Sequence, residues 1–268
     1  MGLAATPGAA GGEVAAMIGV SILEKRYPSV GKAPPHLALS GISFRLAWGE
    51  FVAVSGPSGC GKTTLLHILA GLDRDFAGKV EITPHADGSP PRIGYVFQNP
   101  RLLPWRTVHE NVSLVLRPDQ NPEIADRLIE AVGLGAARDA YPSRLSGGMA
   151  RRAALARAFA VEPDLLLMDE PFVSLDPDSA DNLRALLLKL WEERWGERRA
   201  TILFVTHDLR EALFLADRLL LLSAAPARLL AALPLELPRD RRGDGAEIER
   251  LRSEVAHHHR SLMSKASP

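Results

Sequence analysis

Eight residues, Gly56-Pro57-Ser58-Gly59-Cys60-Gly61-Lys62-Thr63, constrain this chain more than any other segment. They fit the pattern G-x-x-x-x-G-K-[ST] at every fixed position. A short apolar run, Glu50 to Val54, reads as a strand before them, and Thr64 to Ala70 reads as a helix after them, which is the context the pattern requires. The physics is local. Glycines let backbone N–H groups turn inward around an anion. The helix start adds unpaired donors and a partial positive charge. Lys62 brings a full charge to the β- and γ-phosphates of a nucleotide, and Thr63 offers a hydroxyl to Mg²⁺. A glycine-rich turn without a ligand is the alternative, and the agreement of motif with flanks weighs against it. Cys60 stands at a variable position of the loop. A helix N-terminus lowers a thiol pKa, but nothing else in the sequence supports thiol chemistry.

A second site is built from carboxylates. In Leu165 to Pro171, LLLMDEP, four apolar residues read as a buried strand with Asp169 and Glu170 emerging at its C-terminal end, where ligands bind in open α/β sheets. Asp169 is placed to hold Mg²⁺, and Glu170 to polarise a water for attack on a γ-phosphate. Taken alone, the pair is equally well a solvated acidic turn; a phosphate loop in the same chain favours the catalytic reading. His207 ends another apolar strand, Thr201 to Thr206. A lone histidine in that place is more often structural than functional.

The rest of the chain fits an α/β protein. Residues 18–25 and 37–54 are β-rich, and Lys79 to Thr83 and Arg92 to Phe97 read as strands. Val108 to Ala160 turns helical, with a helix starting at Pro122-Glu123 and ending at Gly133, and Ser146 as the N-cap of a long Ala/Arg/Leu helix. Strands that are apolar throughout point to a parallel sheet covered on both faces. Asp178 to Trp195 has helical spacing between two of them. The 268 residues suffice for a substantial core, and 32 Lys+Arg against 32 Asp+Glu give no basic excess to coat a nucleic acid. One cysteine cannot staple a fold, which points to a reducing compartment. Residues 1–17 lack the basic start of a secretory signal and read as a flexible tail, with Met17 a second candidate start. The most apolar stretch, Leu213 to Leu237, is broken by Asp217, Arg218, Pro226, Arg228, Pro234 and Glu236, so it falls short of the roughly 20 apolar residues of a membrane span.

Between the phosphate loop and LLLMDEP lies Leu145-Ser146-Gly147-Gly148-Met149, which resembles the signature of ATP-binding-cassette (ABC) proteins. The ordered set is GPSGCGKTT, Gln98 in YVFQNP, LSGGM, LLLMDEP, Ser174 to Asp176 (SLD), and His207 in VTHD. Tyr27 matches the aromatic that stacks on adenine in that family. The resemblance covers about residues 18–233. It implies a P-loop NTPase cassette: a RecA-like parallel-sheet core, an antiparallel β subdomain and a helical signature subdomain. The cassette domain would span 18–238, with a helical insert over about 101–160 and a C-terminal tail, 239–268, carrying a helix over Ala246 to His259. It further implies that Gly56 to Thr64 bind ATP, that Gln98 touches Mg²⁺ and the attacking water, and that His207 senses the γ-phosphate. Ser146, Gly147 and Gly148 would bind ATP held by an opposite subunit, and Asp176 would lie at the dimer interface. A serine-capped helix start is itself an anion site, and a second one in a chain that already has a phosphate cradle fits a two-fold dimer sharing two ATP molecules. Met149 stands where the family usually has Gln, and Ala150 where many members are basic; Arg151 and Arg152 keep the basic character nearby.

The stretch Arg101 to Val108, RLLPWRTV, followed by His109-Glu110-Asn111-Val112, resembles the importer subgroup that energises uptake of nitrate, sulfonates and taurine. LPRDRRGDG and ERLRSEV in the tail resemble it too. The resemblance implies a homodimer on the cytoplasmic face of the membrane, docked on membrane-spanning permease subunits that receive solute from a periplasmic or extracellular binding protein. Leu102, Leu103 and Trp105 form the candidate docking surface, unless they are ordinary core residues of the insert. The rival expectations are an importer cassette for another small solute, a non-enzymatic ATP-gated dimer, or a soluble ABC ATPase of DNA repair or translation, for which the chain has no room for a long coiled coil or a second cassette. His257 to His259 and Arg239 to Arg242 read as solvated tail and solvated linker rather than as a metal site and a lipid contact.

Overall fold

The computed structural model describes residues 18–29, 31, 34–85, 87–193, 195, 199–239, 242, 245–246 and 248–255. They fall into two compact units: one takes the described residues up to Thr83 together with those from Val205 onward, the other Pro84–Phe204.

In the first unit, β1 (Ile18–Tyr27) lies between β2 (His36–Leu46) and β4 (Ala77–Ile82) in an antiparallel three-stranded sheet. Ile18, Val20 and Ile22 alternate inward, as half-buried strands do. The pairing of β1 with β4 then skips Leu23. Leu23 keeps the outward face and is exposed, and the bulge then reverses the alternation, so that Lys25 is buried with 2% exposure. β3 (Phe51–Ser55) is buried at every residue and runs parallel to β8 (Arg218–Leu222), which pairs antiparallel with β9 (Leu229–Pro234). The glycine loop leaves β3 and enters α1 (Lys62–Leu69). α6 (Leu209–Leu215) follows His207.

The second unit holds β5 (Ile93–Val96) and β6 (Leu165–Asp169), which pair in parallel, with β7 (Thr201–Thr206) beside β6 at the unit's boundary. Its helices are α2 (Val108–Ser113), α3 (Glu123–Ala131), α4 (Gly147–Ala160) and α5 (Pro177–Glu192), with two 3₁₀ turns, Gly135–Ala137 and Pro142–Arg144, before α4. Three of these four α-helices are capped by side chains, and α3 starts at Pro122 without one. Thr107 and Glu110 form a reciprocal capping box on α2, Ser146 Oγ accepts from Met149 N on α4, and Asp176 accepts from Ser179 N on α5.

The sequence reading passes over β8, β9 and α6, all drawn from the apolar region after Thr206. It also misplaces the arginines after Pro238. Arg242 is 4% exposed and donates to the carbonyls of Ala216 (2.6 Å), Leu237 (2.8 Å), Phe214 and Leu235 (both 3.4 Å). Arg239 donates to Leu215 O and is ion-paired with Asp217 at 2.7 Å. These two are staples, not parts of a solvated linker: the ends of helices and strands leave carbonyls that need donors, and a guanidinium supplies several at once. Residues 248–255 are helical and bury Ile248 and Val255, while Met17 and His257 to His259 lie outside the described residues. Arg242→Met should destabilise the protein by about 2–3 kcal/mol, because several buried acceptors lose their donor; the midpoint of urea unfolding checks it.

Candidate functional site

The first unit carries the phosphate loop. Gly56 leaves β3 so close to β8 that a Cβ there would stand 3.0 Å from Leu222 Cβ. Gly61 has φ 116° and a Cβ would meet Leu39 Cδ2 at 2.7 Å and Ala38 O at 3.2 Å. Only glycine permits that backbone, which turns the chain from the loop into α1. Ser58, Gly59 and Thr63 are exposed, and Pro57 is half-buried. Lys62 lies folded over the loop, with Nζ donating to Gly56 O (2.9 Å) and Pro57 O (3.0 Å). Its ammonium is thereby held beside the exposed amides. Cys60 is buried at 1% exposure, and burial pushes its thiol up despite the nearby Lys62 charge. A protonated, buried thiol is a packing group, in accord with the absence of any other sign of thiol chemistry.

Tyr27 meets this loop: its Oη lies 3.1 Å from Thr64 Oγ1. The ammonium of Lys25 sits 4.7 Å from the Tyr27 ring centroid and donates to Asp73 Oδ1 (2.9 Å) and Asp75 O (2.6 Å). Burial works against the Lys25 charge, but Asp73 and Asp75 outweigh it and hold the ammonium above its ordinary basicity. The sequence reading passes over Lys25; its spacing of two from Tyr27 on one strand was the available signal. His207 is exposed at the end of β7. Its neighbours fix the backbone on both sides: Thr206 Oγ1 donates to Glu211 at 2.5 Å and accepts from Asp208 N at 3.0 Å, and Asp208 accepts from Arg210 N at 2.8 Å.

The second unit carries the carboxylates and the signature helix. Asp169 ends β6 with 6% exposure; next to it, Tyr95 is held un-ionised by burial and, secondarily, by the Asp169 charge. Glu170 follows with φ 44°, a left-handed conformation that costs a non-glycine residue about 1–3 kcal/mol. Val173 N donates to Glu170 O at 3.2 Å and closes a turn over it. Gln98 is exposed after β5. Ser146 and Gly147 are exposed at the start of α4, and a Cβ on Gly147 or Gly148 would meet nothing within 4 Å. Ser146, Gly147 and Gly148 line an open groove of about 620 Å³ together with Ser174, Leu175 and Asp176. Asp176 is held below the usual carboxylate range by the Ser179 hydroxyl and amide that it accepts from.

Arg151, noted in the sequence only as basic character, fastens these segments. It donates to Gln98 O and Pro171 O at 3.2 Å and to Val173 O at 2.5 Å. Asn111, fully buried, does the same for the segment after Arg101: Oδ1 accepts from Leu103 N (2.8 Å), and Nδ2 donates to Leu103 O, Arg106 O and Thr107 O. Leu102 and Leu103 are half-buried, whereas Trp105 is 69% exposed, so it is not a core residue of its unit.

Thr63, Gln98, Asp169 and Glu170 supply hydroxyl, amide and carboxylate oxygens, the donor chemistry that suits Mg²⁺. The Gly61 geometry and the adjacent ammonium suit a phosphate. No helix among the described residues is long and apolar enough to cross a membrane.

A family model described as ABC transporter matches residues 39–173. An aliphatic sulfonates import ATP-binding protein of Burkholderia lata is 46% identical over 80% of this chain and 78% of its own. A protein of the same description from Bacillus subtilis is 38% identical over 88% of this chain and 91% of its own. An uncharacterised ABC transporter ATP-binding protein of Methanocaldococcus jannaschii is 44% identical over 76% and 78%. Among solved structures, a dimeric post-hydrolysis state of an ATP-binding cassette bound to ADP and Pi aligns with TM-score 0.67 and 30% identity, over 83% of this chain and all of that one. Gly61→Ala should weaken ATP binding at least about 10-fold and cost stability, since it combines a left-handed φ with a 2.7 Å clash. Gly59→Ala, at φ 73° in open space, should cost only about 1 kcal/mol. Titration with a fluorescent ATP analogue separates the two.

Proposed function

Since this chain belongs to the ABC transporter family, we propose that it is the ATP-hydrolysing subunit of an importer for a small sulfonate, working as a homodimer docked on a permease. One observation carries the dimeric reading. Ser146 caps α4 and leaves Gly147 and Gly148 open, a second anion-binding helix start in a chain whose phosphate loop already supplies one. A second start has work to do if it meets the nucleotide of another copy. The related cassette with ADP and Pi is a dimer. The relatives named for aliphatic sulfonate import support the solute class.

In this reading, Tyr27 stacks on the adenine and the loop from Gly56 to Thr64 wraps the phosphates. Lys62 leaves its carbonyl partners for the β- and γ-oxygens. Thr63, Gln98 and Asp169 would hold Mg²⁺, which when bound would supply charge neutralisation for the phosphates. Glu170 accepts a proton from the attacking water, His207 holds the γ-phosphate, and Ser146 of the opposite copy stabilises the charge that develops on it. The permease contacts Trp105, which Asn111 presents on an ordered segment, on the cytoplasmic face of the membrane. A solute-binding protein on the far side delivers the sulfonate.

Glu170→Gln should lower turnover at least about 100-fold, the usual contribution of a general base, while ATP now holds the subunits together as a dimer in gel filtration. Hydrolysis at the wild-type rate would remove Glu170 from that role. Trp105→Ala should leave ATP binding within about twofold but weaken co-purification with the permease, as loss of a roughly 2 kcal/mol anchor does. Undiminished assembly would place the contact elsewhere.

A further inference from the structure

Two segments bearing residues of the proposed hydrolytic site converge on one side chain. Arg151 lies in the first turns of α4, after the signature residues Ser146 to Gly148. Its Nη1 donates to Gln98 O and Pro171 O, each 3.2 Å, and its Nη2 to Val173 O at 2.5 Å. Gln98 is itself a proposed Mg²⁺ and water contact, Pro171 follows Glu170 directly, and Val173 precedes the Ser174 to Asp176 segment. All three partners are main-chain oxygens, so what is fixed is the backbone. The guanidinium is partly withdrawn from water, which lowers its basicity.

The convergence answers a specific mechanical need. Glu170 has φ 44°, and a side-chain-bearing residue stays in that region only when its surroundings over-determine it. The 3.2 Å bond from Val173 N to Glu170 O closes the turn from inside. The carbonyls of Pro171 and Val173 then need external donors, and the planar fork of Arg151 reaches both, with Gln98 O as a third acceptor. A lysine offers a point charge without that fork, and a neutral residue leaves the carbonyls to water.

We infer that Arg151 is a positioning residue for ATP hydrolysis, holding the backbones of Gln98 and of the Glu170 turn against the helix whose first residues form the second phosphate site. The inference rests on Glu170 being the base. Two more arginines on α4 also fasten carbonyls: Arg152 those of Val132 and Gly133, and Arg157 those of Pro100 and Arg101. Arg152 also lines the groove of Ser146 to Gly148, so the matched control is Arg242, whose carbonyl partners, Phe214, Ala216, Leu235 and Leu237, adjoin no residue of the proposed site.

The test is steady-state hydrolysis of Mg·ATP by the full chain, with thermal unfolding recorded for each variant. Arg151→Met should lower kcat about 10- to 100-fold with KM for ATP within about twofold, as expected when a base is misaimed and the nucleotide loop is untouched. Arg151→Lys should be intermediate. Arg242→Met should lose at least as much thermal stability while keeping kcat within about twofold. The inference is overturned if Arg151→Met keeps the wild-type kcat, or if kcat falls equally in both methionine variants. If Arg151→Met does not fold, Arg151→Lys decides: reduced kcat at an unchanged unfolding temperature supports the clasp, and wild-type kcat refutes it. Glu170→Gln, assayed alongside, separates the premises. Normal hydrolysis by it removes the base, whereas an inactive Glu170→Gln beside a fully active Arg151→Met removes only the clasp.

Discussion

A polyphosphate brings several negative charges within a few ångströms of one another, and unpaired backbone N–H groups at a helix start meet them without importing a mobile countercharge. This chain builds two such starts, one in each unit. At the first, β3 is locked by full burial and Gly61 takes a backbone no other residue would tolerate, so the loop enters α1 in one way only. At the second, Ser146 takes up the Met149 N–H as a cap, and the neighbouring glycines keep the approach open. The two differ in what else is at hand. Lys62 stands beside the first; the second opens on a groove whose far wall includes Asp176, a carboxylate already committed to capping α5. Arg152 lines the same groove, so an anion at the second start meets backbone donors and a guanidinium together.

Precision elsewhere comes from donors that satisfy loop carbonyls. Arg151, Arg152 and Arg157 on α4, and Arg242 after β9, have main-chain oxygens as their hydrogen-bond acceptors. Ordering a loop residue costs about 1–2 kcal/mol in entropy, and a buried carbonyl left without a donor costs more. One guanidinium with several donors in a rigid fork offsets both at once, which a lysine or a glutamine does less completely. Asn111 achieves the same in neutral form for the segment that presents Trp105.

What the sequence made legible follows from how local each signal is. The glycine pattern, the all-apolar β6 and the Ser146 cap are short-range devices, and each stands where its residues predict. β8 and β9 were hidden because Leu219 to Leu222, unlike β6, sits inside a longer apolar stretch, Leu213 to Leu237, with no motif at its end to mark it as a strand; its pairing with β3 and β9 does so. The burial of Lys25 was hidden by a single skipped residue, Leu23, which shifts Lys25 onto the inward face. Arg239 and Arg242 read as a basic linker because charge counts in sequence carry no information about which carbonyls lie unpaired nearby. Arg151 is the instructive case: its charge was visible, and its acceptors, 20 to 53 residues away in the chain, were not.

Those long separations also explain why α4 is built as it is. The helix packs Ala153, Ala154, Ala156, Ala158 and Ala160 inward, small residues that let it approach its neighbours closely, and sends long arginines past them. Arg157 grips Pro100 and Arg101, the entry to the segment that Asn111 orders, while Arg151 grips Gln98 and the Glu170 turn. A displacement of residues 100–105, where a permease is proposed to bear, thus reaches α4 through two hydrogen bonds of 2.8 and 2.9 Å. It reaches the glutamate turn through bonds of 2.5 and 3.2 Å on the same rigid helix. Because packed helices move as units rather than bending continuously, the permease contact proposed at Trp105 and the phosphate contact proposed at Ser146 would act on one body.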